Sequence, residues 1–467
     1  MMTSNTERLG DESSVADLDA FPRDFRWGLA TAAYQIEGAA REGGRGPSIW
    51  DTFSHTSGLS LHGDTGDIAC DHYHRWEADL DLLKELGVTD YRLSLSWVRL
   101  QPSGHGRLNP VAVRFYRDLL GGLVTRGIRP LVTLYHWDLP QPLEDRGGWP
   151  VRETAYRFAD FAERAVTALG DIATDWVTLN EPWCSAFLGY GSGAHAPGRT
   201  DYRAAIHAAH HLNLAHGLAV AAIRAVRPEA SVGITNIVTD ILPAENDADC
   251  TAAAFRLDAA SNRVFLDPVY QGDYSAAVWQ VLGDRGLADV VQAGDSAIIS
   301  APTDFAGINH YQRVLASSDP EQPFGVSETP AEPATTSFGW SVIPESLTAV
   351  LTRVAREFTS LPLYVTENGA SYDDYVDPNG EVVDTDRVAY LRGYLGAASQ
   401  AIRRGVDLRG YYAWSFLDNF EWAEGYSKRF GLVWVDYRTQ ERIPKLSAHW
   451  YRRLIAEHRK AVAYAAA

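Results

Sequence analysis

The stretch DWVTLNEP, residues 175–182, ends an apolar run in an amide, a carboxylate and a proline. Its Trp, Val, Thr and Leu read as a buried strand. Pro182 removes a ladder donor and biases Glu181 away from helical geometry, so Glu181 is expected at a strand's C-terminal end. The same pattern recurs along the chain, in the runs 25–34, 89–97, 129–137, 231–238, 304–311, 361–369 and 408–416. In nearly every run the first residues are apolar and the last are polar or aromatic. Tyr34-Gln35, Ser96-Trp97, His136-Trp137, Asn180-Glu181, Asn309-His310-Tyr311, Glu367-Asn368 and Trp414-Ser415 all fall at this end. Alternation of strands with helices fits either a closed parallel barrel or an open doubly wound sheet. Chemistry gathered at one end of so many strands decides for the barrel, whose strand ends share one mouth; an open sheet leaves edge strands with no pocket to line.

The intervening segments carry helix signals. In RWEADLDLLKELG, Trp76, Leu80 and Leu83 share one face at helical spacing and Gly87 stands where the helix stops. Asn109-Pro110 supplies a cap and a first-turn proline for a helix reaching Thr125. With no internal repeat and no linker, the 467 residues read as one α/β unit, a single (β/α)8 TIM barrel with elaborated loops at its C-terminal face. Residues 1–20 are expected as a flexible polar tail and 21–467 as the barrel. The Ser-, Pro- and Thr-rich segment from Ala316 to Thr336 reads as a mobile rim loop.

Composition excludes several functions. A net charge of −18 repels nucleic acid and acidic membrane surfaces at long range. The N-terminal residues have no apolar core, so neither a secretory signal nor a transmembrane span is expected. Three widely spaced cysteines, Cys70, Cys184 and Cys250, make no disulfide framework and fit a reducing, cytoplasmic setting. Oligomeric state is not readable.

Two strand ends finish in glutamate, Glu181 and Glu367. Glycosidic bond cleavage needs such a pair: one carboxyl protonates the leaving oxygen while the other meets positive charge developing at the anomeric carbon. Gln35, His136, Asn180 and Glu421 offer donors and acceptors suited to several hydroxyl groups. Among the 14 tryptophans, Trp137, Trp414, Trp422 and Trp434 fall on or near mouth positions, where an indole can cover the C–H face of a pyranose. Arg92, inside the second run, needs an anionic partner if buried, and a carboxylate nucleophile would be one.

The motifs FRWGLATAAYQIEG, YRLSLSW, LYHWDLP, TLNEP, TENG and WSFLDNFEWAEGYSKRFGLVWVDY together resemble glycoside hydrolase family 1, the retaining β-glucosidase family of (β/α)8 barrels. The resemblance runs from about Phe21 to near Tyr451. It implies Glu181 as general acid/base and Glu367 as nucleophile. It also implies Gln35, His136, Asn180, Trp414, Glu421 and Trp422 as sugar-holding residues, and Arg92 and Tyr311 as contacts of the nucleophile. Trp137, Asn309 and Tyr311, from the strand ends, join the expected substrate-binding set. The family's Asn-Tyr-Tyr run is Asn309-His310-Tyr311 here, which leaves open whether His310 touches a ligand or only packs.

The expected activity is that of a β-glucosidase acting on terminal β-D-glucosyl residues of β-glucosides and short oligosaccharides, by double displacement. That route asks for carboxyls about 5 to 5.5 Å apart, against roughly 6.5 to 9.5 Å for inversion. Galactosidase, fucosidase or transglycosidase activity, or a non-catalytic sugar-binding barrel, are the alternatives. No cofactor or metal is expected: Cys70, His72 and His74, and His207, His210, His211 and His216, lack the His-Glu-x-x-His arrangement and read as packing or hydrogen-bonding residues. One difficulty stands. Strand alternation sends Asn180 and Glu181 to opposite faces, so both can reach one pocket only through a bulge or twist.

Overall fold

Eight parallel strands close on themselves: β1 (Arg26–Ala30), β2 (Asp90–Ser94), β3 (Arg129–Tyr135), β4 (Asp175–Asn180), β5 (Ser231–Ile237), β6 (Phe305–Asn309), β7 (Leu363–Asn368) and β8 (Leu408–Trp414). In this computed structural model, which describes residues 18–333 and 335–466, each strand pairs with its neighbour in sequence and β1 closes the ring against β8. All eight expected runs form barrel strands. Both faces of the strands are covered: in β2 and β4 every residue is buried, the polar Asp90, Arg92, Ser94 and Thr178 included.

The long connecting helices are α1 (His72–Glu85), α2 (Pro110–Thr125), α3 (Glu153–Leu169), α4 (Tyr202–Val226), α5 (Glu345–Glu357), α6 (Thr385–Arg403) and α7 (Leu446–Ala466). On α1, Leu80 and Leu83 are buried and Trp76 packs half-buried against the core. Gly87 follows with φ +74°, a left-handed conformation that glycine takes without a Cβ penalty. Asn109 caps α2 by accepting a hydrogen bond from the Val111 N–H, with Pro110 in the first turn.

Two expectations need correction. The run 25–34 is not one strand: β1 stops at Ala30, and Ala33–Ile36 forms a helical turn, with the Ala33 N–H donating to Ser94 Oγ at 2.8 Å. Gln35 therefore enters from this turn. The segment 316–336 is not simply a loop, since Arg313–Ser318 pairs antiparallel with Val326–Pro330 and parallel with Asp240–Pro243. Buried Val314, Ala316 and Val326 close over Ala253 and Leu257 in a small satellite core. Alternation, one face in and one out, let this strand hide in a polar composition. Of the expected tail, residues 1–17 lie outside the described residues, while Leu18–Ala20 forms one 3-10 turn whose Leu18 packs against the core.

Candidate active site

The geometry starts at the end of β4. Its pairing with β5 slips register between Val177 and Asn180, and Glu181 turns into the left-handed region with φ +44°. A non-glycine residue pays of order 1–3 kcal/mol for a sparsely populated conformation and keeps it only where its surroundings over-determine it. Here Pro182 disfavours the right-handed alternative, and the Glu181 N–H donates to Thr235 O at 2.9 Å. The twist resolves the alternation problem: Asn309 Nδ2 donates to Asn180 Oδ1 at 3.1 Å and to Glu181 Oε1 at 2.8 Å. Register also shifts at the end of β7, between Val365 and Glu367 against β6 and between Val365 and Asn368 against β8.

Glu367 sits in a different setting. Buried Arg92 pairs with its Oε1, and the Tyr311 hydroxyl donates to its Oε2 at 2.7 Å. Arg92 also donates to Asn180 Oδ1 at 2.6 Å. Because Asn180 Oδ1 accepts from both Arg92 and Asn309, its amide nitrogen is turned to His136 Nε2, 3.0 Å away. That contact makes Nε2 the acceptor and leaves the proton on Nδ1, which has no partner among the described residues. Burial, then the Arg92 charge, drives the His136 pKa well down, so the ring is neutral. Gln35 Nε2 donates to Asn419 Oδ1, Phe420 O and Glu421 Oε2, leaving its Oε1 likewise unspent. A buried free donor and a buried free acceptor are what a polyhydroxylated ligand would satisfy.

Glu181 and Glu367 line one cleft of about 400 Å³ with His136, Trp137, Tyr311, Trp414, Glu421 and Trp422. The other expected residues, Gln35, Arg92, Asn180 and Asn309, lie behind this wall and hydrogen-bond to it or to one another. Trp137 and Trp422 pack with ring centroids 4.6 Å apart, and both hold positive φ, +76° and +51°, so backbone strain gathers at this mouth. Burial, and secondarily the charge of Glu367, pushes both Glu181 and Glu421 up to about 8. At neutral pH Glu181 is thus a proton donor beside a paired carboxylate, in a cleft with aromatic walls. That arrangement can protonate a leaving oxygen on one side and attack carbon on the other.

Not every expected aromatic arrives. Trp434 lies on a short hairpin under Arg429, 5.0 Å from ring centroid to guanidinium, and is not part of the cleft wall. His310 packs: its Nδ1 meets Val238 O at 2.8 Å and its Nε2 meets Ser346 Oγ at 2.6 Å. Conversely, Trp183, His195, Phe338, Trp340 and Phe430 line the cleft without having been singled out. Trp183 stands beside the TLNEP motif, and Phe338 and Trp340 lie just past the end of the rim segment, but only folding places loop aromatics over a mouth. Cys184 lies against the TLNEP glutamate, its thiol donating to Glu181 Oε2 at 3.3 Å.

The histidines weighed as metal ligands have other partners. His72 pairs with Asp79, His74 with Asp71 and Glu42, His210 with Tyr274 and Asp295, His211 with Trp149 O, and His216 with Thr178. A larger cavity of about 620 Å³, lined by Asp373, Asp374, Asp377 and Asp384, contains neither strand-end glutamate. Two of its carboxylates, Asp374 and Asp384, pair with Arg387, and Lys445 also binds Asp374. Among the described residues no helix is long and apolar enough to cross a membrane. All three cysteines are free and buried.

The chain is similar over nearly its whole length to several known proteins. The bifunctional beta-D-glucosidase/beta-D-fucosidase of Bifidobacterium breve is 47% identical, over 94% of this chain and 98% of its own. Beta-glucosidase A of Thermotoga maritima is 44% identical over 93% of this chain and 97% of its own. The crystal structure of a psychrophilic beta-glucosidase from Micrococcus antarcticus superposes with a TM-score of 0.91 at 45% identity, covering 94% of this chain and 98% of that one. Since the family model for glycosyl hydrolase family 1 matches residues 18–460, spanning every barrel strand and both strand-end glutamates, the chain belongs to that family.

Proposed function

We propose that the protein is a retaining β-glucosidase, releasing terminal non-reducing β-D-glucosyl residues from β-glucosides and short gluco-oligosaccharides, with Glu181 as acid/base and Glu367 as nucleophile. The observation that carries this reading is the asymmetry of the two glutamates: one is driven toward its neutral form, and the other is held by Arg92 and Tyr311. In the first step a Glu367 oxygen attacks the anomeric carbon, the glycosidic C–O bond breaks, and the Glu181 proton passes to the leaving oxygen. In the second, Glu181, now a carboxylate, takes a proton from water as that water's oxygen displaces Glu367 from carbon. Esterification of Glu367 removes the charge that opposed ionisation of Glu181, which lets one group serve as acid and then as base.

Glu421, backed by Gln35, supplies acceptors for adjacent hydroxyls of the glucosyl unit, His136 Nδ1–H a donor, and Trp414 and Trp422 apolar faces. A fucosidase activity on the same scaffold is the second reading, favoured by the double activity named for the Bifidobacterium breve relative. Free buried cysteines fit work in the cytoplasm, where short β-glucans from cellulose breakdown would be the natural substrates. The test is kcat/KM over aryl β-glucosides, fucosides, galactosides and xylosides, with the released anomer followed by NMR. The glucoside should lead, with the fucoside nearest and the β-anomer released first. A galactoside cleaved tenfold faster, or an initial α-anomer, would overturn the assignment.

A further inference from the structure

Behind Glu181, three fully buried side chains from successive strands, Thr235 of β5, Asn309 of β6 and Thr366 of β7, form one hydrogen-bonded chain. The Thr235 hydroxyl donates to Thr366 Oγ1 at 3.2 Å, and Thr366 donates to Asn309 Oδ1 at 2.7 Å. A hydroxyl has one proton and an amide oxygen only accepts, so the direction of donation along the chain is fixed. The Asn309 nitrogen then faces the other way, onto Asn180 Oδ1 and Glu181 Oε1. The chain ends on the carboxyl that must give up a proton.

Thr366 serves both glutamates. Strand alternation would send Thr366 and Glu367 to opposite faces, but register against β6 slips between Val365 and Glu367, and both side chains find interior partners. The Thr366 carbonyl also accepts from Arg92 Nη1 at 3.2 Å, so its main chain braces the cation beside Glu367 while its hydroxyl braces the amide beside Glu181. Thr235 repeats the pattern: its carbonyl accepts the Glu181 N–H at 2.9 Å and its hydroxyl feeds Thr366. An N–H donated to Oε1 makes that oxygen the carbonyl oxygen of the neutral carboxyl, which puts the proton on Oε2. A hydroxyl bound to Asn309 Oδ1 polarises the amide and strengthens that N–H as a donor.

Resting on the reading of Glu181 as acid/base, we infer that Thr366, fed by Thr235, is a positioning residue: it locks the Asn309 amide with its nitrogen toward Glu181 and so keeps the acid proton on Oε2, ready for the leaving group. The test takes pH profiles of kcat/KM in the native protein, Thr366→Val, Thr366→Ser and Thr235→Val. Its two substrates are cellobiose, whose departing glucose needs the proton, and a dinitrophenyl β-glucoside, whose leaving group does not. Thr366→Val leaves Asn309 Oδ1 a buried acceptor with no donor, and should lower kcat/KM about 5- to 100-fold for cellobiose but less than about threefold for the dinitrophenyl glucoside. The Asn309 bond favours the ionised form of Glu181, so weakening it should also move the alkaline limb for cellobiose to higher pH. The other groups whose charge or ionisation bears on Glu181, namely Glu367, Arg92, Cys184, Tyr311 and Glu421, are untouched by the substitution, so the shift reads the amide.

Thr366→Ser, which puts the hydroxyl back, should reverse both changes, and Thr235→Val, one bond further from Glu181, should show the same changes at smaller size. Equal losses on the two glucosides with an unmoved alkaline limb, no loss on either, or failure of Thr366→Ser to rescue overturns the inference. If Glu181→Gln cuts both glucosides equally, the acid/base reading falls and this inference with it.

Discussion

The ends of β4 and β7 present the same side chain in similar local sequence, LNEP and TENG, both glutamates almost fully buried at 4% and 3% exposure. Burial by itself treats them alike. What separates them is their company. Glu367 meets a guanidinium and a phenol, whereas Glu181 meets an amide, a thiol and the charge of Glu367 itself. A carboxyl bonded to an amide and a thiol rather than to a cation, in low dielectric and beside another carboxylate, holds its proton. The lesson is that the residue type supplies the chemistry and the neighbours assign the task.

Substitutions that remove or blur this contrast give the following expectations. The largest effect belongs to Glu367→Ala, which deletes the attacking group: turnover should fall by on the order of 10⁴ or more, and added azide should enter the vacated space to give an α-glycosyl azide. A β-azide would reverse the two roles. Next, Glu181→Gln keeps the shape but loses the proton, so cellobiose hydrolysis should drop about 10²- to 10⁴-fold. Formation of the glycosyl ester from a dinitrophenyl glucoside, whose leaving group needs no proton, should suffer far less in rapid-mixing kinetics.

Tyr311→Phe removes one charge-assisted hydrogen bond to Glu367, a loss of about 1.5–3 kcal/mol or roughly 10- to 150-fold in kcat/KM. The smallest effect is on pH dependence. Cleavage needs Glu181 protonated, a form present below its pKa and lost above it, so kcat/KM should fall as pH rises through about 8. Because the Cys184 thiol hydrogen bond lowers that pKa, Cys184→Ala should move this alkaline limb upward with only a few-fold change in the plateau. A downward move would mean the thiol accepts from Glu181 rather than donating to it.

Much of this was legible along the chain. Eight runs whose polar and aromatic residues gather at one end foretold the barrel, because the strand ends of a closed barrel share one mouth, and Gly87 and Asn109-Pro110 marked helix ends by local stereochemistry. Where the reading slipped, a local signal was ambiguous. Ala32 and Ala33 fit strand or helix, and β1 ends before them, at Ala30. Arg313–Ser318 alternates in burial but not in polarity, which hid a half-buried strand. Trp434 looked like any other mouth tryptophan until Arg429 covered it.

Residue order by itself determined that two glutamates close strands, that Pro182 keeps Glu181 out of a helix, and that an arginine sits within β2 and needs an anion, because these follow from backbone sterics and the cost of burying charge. Tertiary structure alone decided which anion Arg92 finds, how a left-handed turn at Glu181 brings it to Asn309, and why the two carboxyls differ. Electrostatic environment is set by groups distant along the chain, and only closure of the barrel brings them within reach of one another.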